Sequence, residues 1–307
     1  MATLLTGKVL TATRATYNVA LEEGTVRCTL RGRVVVEDSG IDAVKVGDDV
    51  EVSLLENEEG LIEKVLPRRS YLSRSIKSRE YKEHIVAVNI DQLLIIAAAR
   101  KPFFKSGLVD RFLVIAEKNG IHAAICINKM DLADPSHFQV FSDYYHGIGY
   151  PVIQTSAVTG AGLADLGGLL AGKVTAVMGQ SGVGKSSLVN ALNPHLAVRI
   201  GEVSERTQKG MHTTTHSELF PLGNGTFVVD TPGIRELGFW DIFKRELPAF
   251  FVDFAELAPE CQFSDCTHIH EPGCQVIAGV SRGEIFAERY ENYCNIYDSL
   301  KNASYET

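Results

Sequence analysis

The stretch that decides the fold is Val174 to Leu192, with the sequence VTAVMGQSGVGKSSLVNAL. Its first five residues are apolar or β-branched and predict a buried strand, and its last eight, from Lys185, have the spacing of a helix. The junction between them matches the pattern G-x-x-x-x-G-K-[ST], with the members Gly179, Gln180, Ser181, Gly182, Val183, Gly184, Lys185 and Ser186. A strand, a glycine-rich loop and a helix in this order predict a phosphate-binding loop.

The residue types of this loop suit a nucleotide. Glycines let backbone amides close around phosphate oxygens, and the positive end of the following helix adds to the attraction. Lys185 is expected to contact the β- and γ-phosphates, Ser186 to ligate Mg²⁺, and Ser187 to complete the nucleotide-binding set. A glycine-rich turn without a ligand would leave Lys185 unexplained. The loop alone does not distinguish ATP from GTP.

A second motif reads the base. The residues that follow the predicted strand AAICI are Asn128, Lys129, Met130 and Asp131, and they resemble the N-K-x-D guanine-binding motif of GTPases. The Asp131 carboxylate can accept from both N1-H and the 2-amino group of guanine, whereas adenine has neither donor there. Unpaired buried polar groups cost about 1–3 kcal/mol each, so the wrong base is rejected. Ser156 and Ala157 follow the strand PVIQT and are expected to offer a backbone amide to the guanine O6.

Two switch segments are expected after the phosphate loop. The tetrapeptide DTPG, from Asp230 to Gly233, resembles the D-x-x-G switch of GTPases. In that pattern Asp230 would bind Mg²⁺ through water, and the Gly233 amide would sense the γ-phosphate. Three consecutive threonines lie between the phosphate loop and this switch. We select Thr214 as the magnesium ligand of the first switch, with Thr213 and Thr215 as alternatives.

The order of these motifs along the chain is unusual. The guanine motif and the SA loop come first, near residues 128 and 156, and the phosphate loop and the switches follow. Each motif nevertheless falls just after a predicted strand, where ligands bind on open α/β sheets. The termini of a domain are often close together, so joining them and opening the chain elsewhere preserves the site. The sequence therefore predicts a circularly permuted GTPase domain with a mostly parallel sheet.

Hydrophobic patterning divides the 307 residues into three predicted domains, which gives an α/β multidomain fold class. Residues 1–67 contain short alternating strands separated by glycines, typical of a small β-barrel such as the OB-fold. Residues 68–240 alternate strands with helical segments, which favours a parallel sheet covered by helices. Residues 241–307 are mostly helical and contain a cysteine and histidine cluster.

Charge excludes a uniformly basic coat for nucleic acid. The chain carries 30 Lys and Arg against 38 Asp and Glu, a net charge of −8. Residues 68–82 are an exception, with six basic residues, one acidic residue and a net charge of +5. We interpret this stretch as either a solvated linker or a local phosphate contact.

We expect no secretory signal in this sequence. The beginning, MATLLTGKVL, lacks a basic region followed by a long apolar run. The longest apolar stretch, Leu93 to Ala99, is far shorter than the roughly 20 residues of a membrane-spanning helix. Six cysteines in 307 residues are too few for a disulfide-rich secreted protein. We therefore expect a cytoplasmic protein without a membrane partner.

A cysteine and histidine cluster lies near the end of the chain. The pattern C-x4-C-x-H-x5-C places Cys261, Cys266, His268 and Cys274 within 14 residues. Clustered cysteines in a cytoplasmic protein favour metal over disulfides, and three sulfurs with one imidazole form the closed tetrahedral set of one structural Zn²⁺. His270 also lies in the segment, so spacing alone leaves His268 and His270 open as the nitrogen ligand.

These features together resemble the bacterial ribosome small-subunit-dependent GTPase A family. The shared features are the permuted order, the HTTT segment at 212–215, the isoleucine after DTPG and the C-x4-C-x-H-x5-C spacing behind a β-barrel. The resemblance implies an OB-fold and a C-terminal zinc-binding domain in which His268 is the ligand. It also implies hydrolysis of GTP to GDP, stimulated by the small ribosomal subunit, and a role in late maturation of that subunit through its 16S rRNA.

Two other functions remain open from the residues alone. One is an RNA-binding adaptor in which the nucleotide is structural. The other is a P-loop ATPase or kinase unrelated to ribosomes, in which the N-K-M-D match is fortuitous. Under the ribosomal interpretation we expect a monomer that does not bind DNA. Neutralising Arg68, Arg69 and Arg74 together is then expected to weaken subunit binding and to leave GTP affinity intact.

The residue that positions the attacking water is not the usual one. Many small GTPases have a glutamine immediately after D-x-x-G, and here that position is Ile234. An aliphatic side chain cannot orient water. We hypothesise that His212 in the first switch positions or deprotonates the water, so that His212, Lys185 and Thr214 form the catalytic set. The alternative is that His212 is a solvent-exposed loop residue.

The His212→Ala substitution tests this hypothesis. We expect GTP turnover to fall by about 100-fold or more, because a positioned acid or base contributes roughly that much, and nucleotide affinity to stay the same. Single-turnover hydrolysis and GDP binding measure the two effects separately. Unchanged turnover would exclude a catalytic role for His212.

Overall fold

The computed structural model describes residues 4–13, 15–30, 44–56, 59–76, 82–194, 217–230 and 242–300. The chain forms two compact units, each built from three chain segments. The first consists of Met1–Leu93, Ala164–Val177 and Ser186–Glu236, and the second of Leu94–Leu163, Met178–Lys185 and Leu237–Thr307. Domain boundaries after residues 67 and 240 remain predictions. No helix among the described residues is long and apolar enough to cross a membrane.

The N-terminal strands of the first unit form the predicted small barrel. They are β1 (Leu4–Ala12), β2 (Tyr17–Leu21), β3 (Gly24–Leu30), β4 (Asp49–Leu54) and β5 (Gly60–Val65). Their order in the sheet is β1-β2-β3-β5-β4, and β1 also pairs antiparallel with β4, which closes the barrel. Branched side chains such as Val9, Val19, Val52 and Ile62 fill the interior, because alternate residues of a strand point to the same face.

A two-stranded hairpin follows the barrel, where the sequence predicts only a basic connector. Its strands are β6 (Tyr71–Ile76) and β7 (Lys82–Val88), which pair antiparallel. The apolar run over Ile85 to Ala99 divides at Asn89, which adopts a left-handed φ of 55°. The Asn89 side chain accepts from the Arg69 amide at 2.8 Å and donates to the Gly47 carbonyl at 3.0 Å. These bonds fix the end of the hairpin to the barrel.

The second unit begins with the strands that carry the predicted guanine motif. They are β8 (Gln92–Ala98), whose first two residues belong to the first unit, β9 (His122–Asn128) and β10 (Val152–Gln154), in the order β10-β9-β8. Strands β9 and β10 are parallel. Helices α1 (Ser106–Lys118) and α2 (Gln139–Gly147) connect them, with 3-10 turns at Met130–Leu132 and Pro135–Phe138. This alternation confirms the α/β prediction.

Five elements form the part of the chain around the phosphate loop, and the strand and helix that flank the loop match the sequence prediction. They are α3 (Leu163–Leu170), β11 (Val174–Met178), α4 (Lys185–Leu192), β12 (Glu218–Gly223) and β13 (Thr226–Asp230). All five residues of β11 are buried, as its apolar composition predicts. In the first unit β11 pairs in parallel with β13, and β12 pairs antiparallel with β13. This part of the first unit therefore combines one parallel pair with one antiparallel pair.

The C-terminal segment is helical and belongs to the second unit. Three 3-10 turns, Leu247–Phe250, Val252–Phe254 and Ala258–Glu260, precede α5 (Gln275–Arg282) and α6 (Ala287–Ser299). Phe251, Phe254, Val276, Tyr293 and Ile296 are buried in one core cluster, which also includes Val114 of α1. This cluster explains why short, irregular turns are stable here, because their apolar side chains share a core with a long helix.

Arg68 corrects the prediction for the basic stretch. Its guanidinium forms two hydrogen bonds with Asp48, at 2.7 and 2.8 Å, and both side chains are almost fully buried, at 5% and 0% exposure. Arg68 is therefore a structural residue and not a phosphate contact. Arg69 is 63% exposed and lies 3.1 Å from Asp91. The side chains of Arg74 and Lys82, and all of Lys77 and Arg79, lie outside the described residues.

The two neighbouring arginines predict different effects on stability. Arg68→Ala leaves a buried Asp48 carboxylate without its cation, so we expect the free energy of unfolding to fall by about 3–5 kcal/mol. Arg69→Ala removes an exposed ion pair and is expected to cost less than about 1 kcal/mol. Urea denaturation of both variants measures the difference. Equal effects would contradict the structural role of Arg68.

Candidate functional site

The phosphate loop has the backbone shape that its glycines allow. Gly184 has a φ of 96°, and a Cβ there would collide with the Asn128 side chain. A Cβ on Gly179 would collide with the carbonyl oxygen of Ile96 in β8. Only glycine fits at either position, so the loop can approach both the guanine motif and the neighbouring strand. A backbone cradle of this kind accommodates phosphate oxygens.

The Lys185 ammonium lies inside the curve of this loop. Its Nζ donates to the carbonyl oxygens of Gly179 at 2.8 Å and Gln180 at 3.1 Å. Lys185 and Ser186 are half-buried at the first turn of α4, and Ser187 is exposed. The structure thus places a cation and a hydroxyl where the sequence predicts a phosphate contact and a magnesium ligand.

Asn128 joins three nucleotide-binding elements. Its side chain is buried, and Nδ2 donates to the carbonyl oxygen of Val183 in the phosphate loop at 2.9 Å. Its Oδ1 accepts from the Thr155 hydroxyl at 3.3 Å and from the Ala157 amide at 3.4 Å. One amide side chain therefore fixes the guanine motif, the phosphate loop and the SA loop. Thr155 is a contributor that the motif search missed.

Lys129 makes a second connection to the phosphate loop. Its Nζ donates to the carbonyl oxygens of Gly182 and Lys101, both at 2.5 Å. Its backbone is left-handed, with a φ of 64°. Lys101 belongs to the loop after β8, which no sequence motif indicated. Its run of basic and aromatic residues, RKPFFK at 100–105, is the signal that could have identified it.

The predicted base-reading carboxylate lies beside the SA loop. Asp131 is exposed, and its Oδ1 accepts from the Ser156 hydroxyl at 2.6 Å. Ser156 is buried, and its Oγ also accepts from the Thr159 amide at 3.2 Å. Met130 is half-buried, and its amide donates to the carbonyl oxygen of Thr155 at 3.0 Å. The structure therefore places an exposed acceptor, the Asp131 carboxylate, directly beside the SA loop.

The structure does not describe most of the predicted switch residues. Asp230 ends β13, but its side chain lies outside the described residues. The same holds for all of Gly233, His212 and the three candidate threonines, Thr213, Thr214 and Thr215. Their roles as magnesium ligands and catalytic groups remain predictions.

The cysteine and histidine cluster is assembled. The ligand atoms of Cys261, Cys266, His268 and Cys274 all lie within 4.8 Å of one another. The Cys261 and Cys274 sulfurs are 3.9 Å apart, and His268 Nδ1 is 3.6 and 3.4 Å from them. A tetrahedral Zn²⁺ requires about 3.8 Å between sulfurs and about 3.6 Å from sulfur to nitrogen, so the residues fit the ion. His270 is exposed.

Neighbouring side chains hold this cluster in shape. The Glu271 carboxylate accepts from the amides of Thr267, Ile269 and His270 at 2.9 to 3.1 Å. On α6, the Tyr290 hydroxyl donates to the His268 carbonyl at 2.8 Å, and the Tyr293 hydroxyl donates to the Thr267 carbonyl at 2.5 Å. Burial lowers the pKa of His268 and so favours the neutral imidazole that metals bind.

A buried ion cluster connects α6 to α1, and sequence reasoning missed it. Arg289 is 1% exposed and donates to Asp110 of α1 and to Asp253 of a 3-10 turn. The Tyr145 hydroxyl and the Asn292 amide also donate to Asp110, both at 2.7 Å. Arg289 is in register with Tyr293, Ile296 and Leu300, and a charged residue within an apolar helical stripe is the signal that could have revealed it.

The order and contacts of these motifs define a circularly permuted P-loop GTPase. The family model described as RsgA GTPase matches residues 65–240, and that of the RsgA N-terminal domain matches residues 6–62. The chain belongs to the RsgA GTPase family.

Similar proteins cover nearly the whole chain. The small ribosomal subunit biogenesis GTPase RsgA of Chlorobaculum parvum is 42% identical and covers 96% of this chain and 98% of its own length. The protein of the same name from Gemmatimonas aurantiaca is 41% identical, with 99% and 100% covered. The crystal structure of YjeQ from Thermotoga maritima is 35% identical, has a TM-score of 0.76, and covers 97% of this chain and 99% of its own.

A second solved structure supports the permutation. YloQ, described as a circularly permuted GTPase, is 31% identical with a TM-score of 0.74, and covers 97% of this chain and 95% of its own. The predicted family, fold class and GTPase class are therefore confirmed.

The two histidines of the metal segment predict different zinc contents. His268 has a left-handed φ of 59°, which asparagine tolerates, so His268→Asn removes the imidazole with little backbone strain. We expect this variant to lose most of its zinc, and the matched variant His270→Asn to keep about one ion per chain. Elemental analysis after gel filtration measures the content. Full zinc in His268→Asn would exclude His268 as a ligand.

Proposed function

We propose that this protein hydrolyses GTP to GDP and phosphate while it assists late maturation of the small ribosomal subunit. The observation that carries the proposal is the pair of bonds from Asn128 and Lys129 to the phosphate loop, which bring the guanine motif and the phosphate cradle together. Relatives that are at least 41% identical and cover 96% or more of this chain bear the name small ribosomal subunit biogenesis GTPase.

The proposed roles follow the chemistry of each residue. Asp131 accepts from the guanine N1-H and 2-amino group, and the Ala157 amide binds O6. The amides of the loop from Gly179 to Gly184 surround the phosphates, with Lys185 as the countercharge. Ser186, Asp230 and Thr214 would hold Mg²⁺, which stabilises charge that develops on the phosphates. His212 positions the attacking water.

One structural zinc ion is proposed for the C-terminal cluster. The donor set of three sulfurs and one nitrogen leaves no position for a reactive water, so the ion would stabilise the fold and take no part in hydrolysis. The partner that we propose is the small ribosomal subunit with its 16S rRNA, bound by a monomer. Such a function would operate in the cytoplasm, where ribosomal subunits are assembled.

Subunit-dependent hydrolysis is the direct test of this function. GTP turnover should be measured with no ribosome, small subunits, large subunits and naked 16S rRNA. We expect strong stimulation by small subunits and little by large ones. Equal turnover in all four conditions would contradict a ribosomal role and favour an adaptor with a structural nucleotide.

The base preference tests the guanine motif separately. Asp131→Asn replaces one acceptor with a donor. Guanine then meets a donor opposite its own N1-H. Xanthine, which has a carbonyl at position 2, becomes the better match. We expect GDP affinity to fall by about 10-fold or more and xanthosine diphosphate to bind better than GDP. Fluorescence titration with both nucleotides measures the change. Unaltered GDP binding would exclude Asp131 as the base-reading carboxylate.

A further inference from the structure

The loop at residues 100–105, named the RKPFFK loop after its sequence, presents an unusual surface within the second unit. It follows β8 and leads into α1. Arg100, Lys101 and Lys105 are exposed. Phe103 is 79% exposed, a high value for a phenylalanine in a chain with a packed core. The loop therefore offers three cations and an aromatic ring to solvent.

The cations of this loop have no acidic partner among the residues that the structure describes. Residues 99–109 contain no aspartate or glutamate, and the next carboxylate, Asp110, is buried against Arg289. The basic stretch after the barrel differs, because Arg68 pairs with Asp48 and Arg69 with Asp91. In a chain of net charge −8, the RKPFFK loop is thus a local positive site that is not neutralised by described neighbours.

The loop is anchored, so its exposed groups are held in place. Phe104 is half-buried, and its ring makes edge contacts with the rings of Phe138 and Phe141, at centroid distances of 5.2 and 4.9 Å. The Lys101 carbonyl accepts from Lys129 Nζ, which also donates to the Gly182 carbonyl of the phosphate loop. A rigid loop lowers the entropic cost of binding a partner.

We propose that the RKPFFK loop contacts an unpaired segment of ribosomal RNA, with a base stacked on Phe103 and phosphates bound by Arg100 and Lys105. This inference rests on the proposed function. Sequence-tolerant recognition of single-stranded RNA combines aromatic stacking with cations that follow the backbone, and this loop has both within six residues. A protein partner with an acidic surface is the alternative that the experiment must separate.

The position of the loop gives the contact a consequence for the nucleotide. Lys129 bonds the Lys101 carbonyl and the Gly182 carbonyl with one ammonium group, so the RKPFFK loop and the phosphate loop share a hydrogen-bonding side chain. RNA bound to the anchored loop would therefore act on the phosphate loop through Lys129. The contact therefore contributes to stimulated hydrolysis, whereas hydrolysis without subunits does not depend on Phe103.

The test uses the full chain with a non-hydrolysable GTP analogue and purified small subunits. Phe103→Ala is expected to raise the Kd for subunits by about 10-fold, because it removes a stacking partner, while Phe103→Tyr keeps near-normal affinity. The double variant Arg100→Ala/Lys105→Ala should reduce the slope of log Kd against log salt concentration by roughly one for each phosphate contact that is lost. GDP affinity and turnover without subunits should not change in any variant.

Two matched variants control for the loss of any exposed apolar or charged side chain. Val140→Ala removes an exposed apolar side chain, 66% exposed on α2 of the same unit. Arg282→Ala removes a cation that is paired with Glu284. Both controls should bind subunits like the wild type. A photoreactive benzoylphenylalanine at position 103 should form nuclease-sensitive adducts with rRNA.

The outcomes decide the inference without ambiguity. Adducts with a ribosomal protein in place of rRNA would overturn it in favour of the protein partner. Wild-type affinity in Phe103→Ala and in the double variant would also overturn it. If the wild type itself neither binds small subunits nor responds to them, the proposed function fails as a whole. If the wild type responds and the variants match it, only the RKPFFK loop inference fails.

Discussion

The second unit depends on one buried ion cluster, Arg289 with Asp110 and Asp253. Burial alone would lower the pKa of Arg289, but the two carboxylates hold that pKa well above its usual value. Each charge is costly in an apolar interior unless it is paired and hydrogen-bonded, and here Tyr144, Tyr145 and Asn292 supply the remaining bonds. The cluster specifies one packing of α6 on α1, because a shifted helix would leave a buried charge unpaired.

Two other features follow from that packing. Helix α1 begins directly after the RKPFFK loop. The Lys101 carbonyl of this loop accepts a hydrogen bond from Lys129 Nζ of the guanine motif. Helix α6 carries Tyr290 and Tyr293, which hold the backbone of the metal segment. The guanine motif, which follows β9, and the cysteine and histidine cluster are thus each hydrogen-bonded to a segment that α1 or α6 supports, and both lie in one compact unit. Sequence patterns did not reveal that these two sites share one unit, because Asp110 and Arg289, whose ion pair joins the two helices, are far apart along the chain.

Short-range patterns were the most reliable guide to this protein. Strand β11, the phosphate loop and helix α4 were predictable to the residue, since a glycine-rich loop between a buried strand and a helix has few alternative conformations. The metal-binding pattern was equally local, although spacing left His268 and His270 open. Charge was a poorer guide. Composition left the stretch that contains Arg68 open as either a solvated linker or a phosphate contact. The fold instead buries Arg68 against Asp48, the residue just before β4 of the barrel.

The sequence by itself determined the class of site, the permuted order of its motifs and the donor set for a metal. Each motif depends on residue type and spacing over a short stretch, where backbone geometry is largely fixed, and the permuted order is simply the order of those motifs along the chain. Only the tertiary structure decided which charged groups are available to a partner. Arg68, Asp110 and Arg289 are neutralised by residues distant in sequence, while Arg100 and Lys105 meet no carboxylate in the described part of the chain. Pairing of charges is a property of three-dimensional proximity, which no local pattern encodes.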